Sequence, residues 1–97
     1  MRRIALLTPA LLAACATAPA ATPVHGVTPG HKCDAAGTDR FIGQPGTRVT
    51  GGAIKRATNA AVLRWAPPGV MLTMDFREDR VTVYLGPDEK VTKINCG

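Results

Sequence analysis

From Val81 to Leu85 apolar and polar positions alternate. Val81, Val83 and Leu85 fall on one face of an extended backbone and Thr82 and Tyr84 on the other, the period of a half-buried β-strand. Gly86-Pro87-Asp88-Glu89 supplies turn residues, and Val91 to Asn95 completes a hairpin. Upstream, Ala60 to Ala66 (AAVLRWA) is β-prone and stops at Pro67-Pro68-Gly69. Before that, Val49, Ala53, Ile54 and Ala57 recur at helical spacing behind Thr47, a suitable N-cap, so the pattern predicts a helix ending near Asn59. Gly51-Gly52 works against it, at about 1 kcal/mol each relative to alanine. Phe41-Ile42 and the turn-rich Gly43-Gln44-Pro45-Gly46 precede the helix. The expectation is an α+β domain, one helix packed on a small sheet.

The connection from Pro67 to Arg80 is long for such a domain. Loops of this length without regular structure are usually functional or disordered. Val70, Met71, Leu72, Met74 and Phe76 make it too apolar for disorder, and exposed apolar side chains mark a contact site.

The N-terminus reads differently. MRRIALLTPALLAAC carries two arginines, an apolar run from Ile4 to Ala14 too short to span a bilayer, and small residues before a cysteine. Leu12-Ala13-Ala14-Cys15 resembles the lipobox of bacterial lipoprotein precursors; a plain cleaved signal is the alternative. On the lipoprotein reading, residues 1–14 are a signal peptide and Cys15 is the lipidated N-terminus. Several acyl chains there anchor the protein stably. Residue 16 is Ala rather than Asp, so the expected location is the outer membrane, facing the periplasm or the outside. Residues 15–32, rich in Ala, Thr, Pro and Gly, are expected to form a tether reaching roughly 50 Å, and residues 33–97 the folded domain. With Cys15 lipidated, Cys33 and Cys96 remain, and an exported compartment lets them pair. A bridge closing a loop of this size is worth roughly 4 kcal/mol on the chain-entropy account.

The formal charge is +5; without Arg2 and Arg3 it is +3. The basic residues are scattered with little aromatic interleaving, which gives no support to nucleic-acid binding. The inventory also argues against an enzyme. There is no serine, and both histidines, His25 and His31, lie in the expected tether. Glu78-Asp79, set between arginines, reads as a solvated turn. A mobile tether histidine beside a bridged cysteine makes a poor metal site, so neither metal nor cofactor is expected.

The stretch LTMDFREDRVTVYL resembles the reactive-site loop of the potato inhibitor I family, the fold of chymotrypsin inhibitor 2 and eglin. Together with CDA, FIGQP, RWAPPG and the terminal NCG, the region from Cys33 to Gly97 is similar to a related family of fungal and bacterial inhibitors, family seventy-eight of the peptidase inhibitors, which includes the fungal elastase inhibitor. The resemblance implies a small mixed sheet and a long exposed reactive-site loop. It implies a substrate-like inhibitor of serine endopeptidases of subtilisin, chymotrypsin or elastase type, with host or bacterial targets, acting as a monomer. Its reactive bond would be Met74-Asp75. Met74 would enter the primary pocket, Leu72 and Thr73 the subsites before it, and Phe76 one after. Arg80 would reach back under the loop as a brace to Asp75 or the Thr73 carbonyl, while Arg77 stays exposed. Thr82 stands where chymotrypsin inhibitor 2 has a second bracing arginine, which implies weaker support unless the Cys33–Cys96 bridge compensates. From another class, the competing reading is an envelope lipoprotein that binds a partner other than a protease or serves a structural role.

Overall fold

The computed structural model describes residues 24–97; the expected signal peptide and Cys15 lie outside them. A short 3-10 helix, Thr38–Phe41, precedes helix α1, Arg48–Thr58, and strands β1 (Val62–Ala66), β2 (Arg80–Leu85) and β3 (Val91–Cys96). Strand β2 is central, parallel to β1 and antiparallel to β3, so the sheet is mixed. The β2–β3 pair is a hairpin, whereas parallel neighbours need a long crossover. That requirement is met by the segment from Pro67 to Asp79, which contains neither helix nor strand.

Helix α1 starts at Thr47, whose hydroxyl accepts from the Thr50 amide, and ends at Asn59 in the left-handed conformation. Its buried face differs from the sequence expectation. Thr50, Gly51, Ile54 and Thr58 are buried, whereas Val49 is 81% exposed and Ala57 is exposed. The reason is close approach: a Cβ on Gly51 would stand 2.7 Å from the Trp65 ring of β1. The glycine that weakens the isolated helix lets it lie flat on the sheet. Thr58 remains satisfied in the core by donating to the Ile54 carbonyl at 2.9 Å.

The core contains Phe41, Ile54, Ala60, Val81, Val83, Val91 and Ile94, bordered by Leu63, Trp65 and Leu85. Thus the alternation of β2 sends Val81 and Val83 to the core. The Cys33–Cys96 disulfide, with Cα atoms 5.7 Å apart, ties the start of the domain to the end of β3.

The segment assigned to the lower part of the tether is seated on the domain. The Gly26 carbonyl accepts from the Asp79 amide, Thr28 bonds the Asp79 carboxylate, His31 Nδ1 donates to the Asn59 carbonyl, and Asn59 Nδ2 donates to the Gly30 carbonyl. A polar segment with few large apolar residues is held here by hydrogen bonds rather than burial.

Candidate functional site

The Pro67–Asp79 connection leaves β1 through a turn. The Val70 amide donates to the Pro67 carbonyl, and Gly69 takes φ 79°, a left-handed position suited to glycine after proline. Beyond it the chain presents apolar side chains to solvent. Met71 is 91% exposed, Met74 98%, and Phe76 and Val70 are also exposed, whereas Leu72 is half-buried. Exposing this much apolar surface is unfavourable for an isolated domain and favourable for one that meets a partner.

Beneath the loop lies the second face of the sheet. Arg64 and Thr82 are register partners, and Arg80 follows the same alternation as Thr82 along β2. Arg80, only 7% exposed, donates from Nη2 to the Asp75 carbonyl at 2.9 Å and from Nε to the Gly97 main-chain oxygen at 3.0 Å; its Nη2 is 3.7 Å from the Asp75 carboxylate. It therefore reaches Asp75 rather than Thr73 among the two expected targets.

Thr73 is held by Arg64, which the sequence reading did not single out. Its Nη1 donates to the Thr73 hydroxyl at 3.0 Å and its Nε to the Thr82 hydroxyl at 3.1 Å, while Thr82 itself donates to the Gly97 oxygen at 2.8 Å. Thr82 is thus no gap in the support. Its hydroxyl accepts from an arginine of the neighbouring strand and links that arginine to Gly97. The only signal in the sequence was a basic residue inside a short β-prone run, uninformative until the parallel register is known.

The acidic pair is not a solvated turn at both positions. Asp79 has no solvent exposure; it accepts both Nε and Nη2 of Arg77 at 3.0 Å, and its main-chain carbonyl accepts from Ala61 and Val62. The two-pronged pairing is the favourable geometry for a guanidinium and a carboxylate. Arg77, expected to stay exposed, is only a quarter exposed and is committed to the base of the loop. The Arg77 guanidinium and then the Thr28 hydroxyl hold the Asp79 carboxyl down to about 2. The Asp75 carboxyl is held further below the ordinary range, first by the Thr73 hydroxyl and next by the His25 ring, whose Nε2 donates to it at 2.9 Å. Phe76 rests its ring against Gly97, where a Cβ would come within 3.1 Å of it.

The arrangement is a short exposed segment outside the sheet with each side of Met74 pinned from below: Thr73 by Arg64, Asp75 by Arg80. Such a segment cannot relax easily, and a pre-formed extended strand is what a protease cleft binds. Among the described residues no three His, Cys, Asp or Glu side chains form a metal-binding group.

No curated protein matches the chain. Among solved structures it is similar to elastase inhibitor AFUEI (crystal form II), at 25% identity and TM-score 0.50, over 61% of this chain and 81% of that one. Residues 33–97 match the family described as Peptidase inhibitor I78 family. The domain built on the Cys33–Cys96 bridge therefore belongs to that family and is a peptidase inhibitor rather than an enzyme.

Proposed function

We propose that the protein is a substrate-like inhibitor of serine endopeptidases with apolar primary pockets, presenting Leu72 to Phe76 and offering Met74-Asp75 as the reactive bond. The observation that carries this is Met74, 98% exposed between two residues held from beneath by arginines. An unbranched apolar side chain suits subtilisin-, chymotrypsin- or elastase-like clefts, and a solved structure of similar fold is of an elastase inhibitor.

In the inhibited complex the protease serine oxygen adds to the Met74 carbonyl, and the bond to the Asp75 nitrogen breaks. Met74 becomes an ester of the serine, and the serine's proton, passed through the protease's own base, completes a free amine on Asp75. Arg80 holds the Asp75 carbonyl and hence that amine close to the ester. Reattack restores the peptide bond and returns the serine hydroxyl, so hydrolysis by water is outcompeted.

Anchored through a lipid on Cys15, the monomeric domain acts in the cell envelope at the outer membrane against host or bacterial proteases. Titration of subtilisin, chymotrypsin and a neutrophil-type elastase with the mature chain tests the reading. Stoichiometric loss of activity, with clipping confined to Met74-Asp75, is expected; full activity of all three at micromolar inhibitor overturns it.

A further inference from the structure

The inhibitor family match begins at residue 33, yet the chain ahead of it touches the loop at two places. His25 Nε2 donates to the Asp75 carboxylate at 2.9 Å, on the departing side of the Met74-Asp75 bond. One residue on, the Gly26 carbonyl accepts from the Asp79 amide at 3.0 Å, and Thr28 Oγ1 donates to the Asp79 carboxylate. Gly26 is buried at φ 81°, so close to Arg77 that an added Cβ would stand 2.9 Å from the Arg77 Cα. This segment is shaped to its seat: the position needs a positive φ and tolerates no side chain.

From these contacts we infer that His25 to Thr28 form a strap that secures the departing side of the inhibitory loop, with His25 a positioning residue for Asp75. The inference rests on Met74-Asp75 being the reactive bond. Arg80 grips the Asp75 carbonyl from below, and His25 grips its carboxylate from outside the family domain. After cleavage the new amine belongs to Asp75, so both grips favour religation over release. The charged groups around His25 and Asp75 are Arg80 under the loop and the Arg77–Asp79 pair at its exit.

The test uses the full mature chain carrying His25→Ala with Thr28→Val, His25→Gln with native Thr28, and Gly26→Val. Inhibition constants for subtilisin and the equilibrium ratio of intact to clipped chain are the readouts, with thermal unfolding as a control. The double variant is expected to inhibit about tenfold less tightly and to shift toward the clipped form, since two hydrogen bonds to charged groups are lost. His25→Gln, which retains a donor, is expected to keep most of the potency. Unchanged inhibition and unchanged clipping in the double variant overturn the strap. Hydrogen exchange separates this from the inhibitory reading. If the native chain inhibits nothing, that reading falls, and the Asp79 amide then decides the strap: protection lost in Gly26→Val supports it, and equal protection in both chains overturns it.

Discussion

Arg64 and Thr73 meet across the underside of the exposed loop, guanidinium to hydroxyl at 3.0 Å, with the same arginine anchored at 3.1 Å on Thr82 of the neighbouring strand. A brace in a potato inhibitor I-like loop is expected from the strand that follows the loop. Here the strand that precedes it supplies one, because parallel pairing brings Arg64 opposite Thr82. Arg64→Ala is therefore expected to weaken inhibition by about fivefold, roughly 1 kcal/mol for hydrogen bonds from a half-exposed charged donor, with little change in Tm. Steady-state inhibition of subtilisin checks it; an effect confined to Tm would remove Arg64 from the loop's support.

Arg80 is more deeply placed, and its loss removes the side-chain bond to the Asp75 carbonyl and one of two side-chain donors to the Gly97 oxygen, Thr82 remaining. Arg80→Ala is expected to convert a persistent inhibitor into a slowly cleaved substrate, weakened on the order of a hundredfold at about 1.5 to 3 kcal/mol for a charge-assisted bond. Time courses of clipping followed by mass spectrometry distinguish this from simple loss of affinity.

Met74→Lys replaces an adaptable apolar side chain with an ammonium, while the supporting bonds to Thr73 and Asp75 stay intact. Potency is expected to move from subtilisin toward trypsin. Unchanged selectivity would place the primary contact at another residue, Met71 being the next most exposed.

The Arg77–Asp79 pair predicts an acid limit. Asp79 titrates lower in the folded chain, at about 2, than its ordinary value of 3.8, so folding is favoured while it is ionised. That contribution is complete above the ordinary value and is lost as pH falls from about 4 toward 2. Thermal unfolding followed between pH 5 and 2 is expected to show a fall in Tm that Asp79→Asn flattens, at the cost of a lower Tm at neutral pH.

Gly51→Ala sets helix propensity against packing. Alanine gains about 1 kcal/mol within an isolated helix, but its Cβ would overlap the Trp65 ring, and overpacking costs about 1 to 3 kcal/mol. A net fall in Tm of about 5 °C is expected for a domain of this size, measurable by circular dichroism.

Local patterning carried much of the architecture. The alternation at Val81 to Leu85, the Thr47 cap, the turns at Pro67 and Gly86, and the apolar character of Met71, Met74 and Phe76 are properties of short stretches, so they identified the helix, the hairpin and the loop without knowledge of long-range contacts. The helix face was misjudged because residue type favoured Val49 and Ala57, whereas contact distance favoured Gly51.

What tertiary structure alone decided was the support of the loop. Arg64 became a brace through strand register; Asp79 became a buried partner because Arg77, Thr28 and Gly26 converge on it; and His25, in a segment read as tether, was brought to Asp75 fifty residues away. The physical reason is range. Hydrophobic period and turn propensity are written into neighbouring residues, whereas a hydrogen bond between distant polar side chains depends on how the intervening backbone is packed.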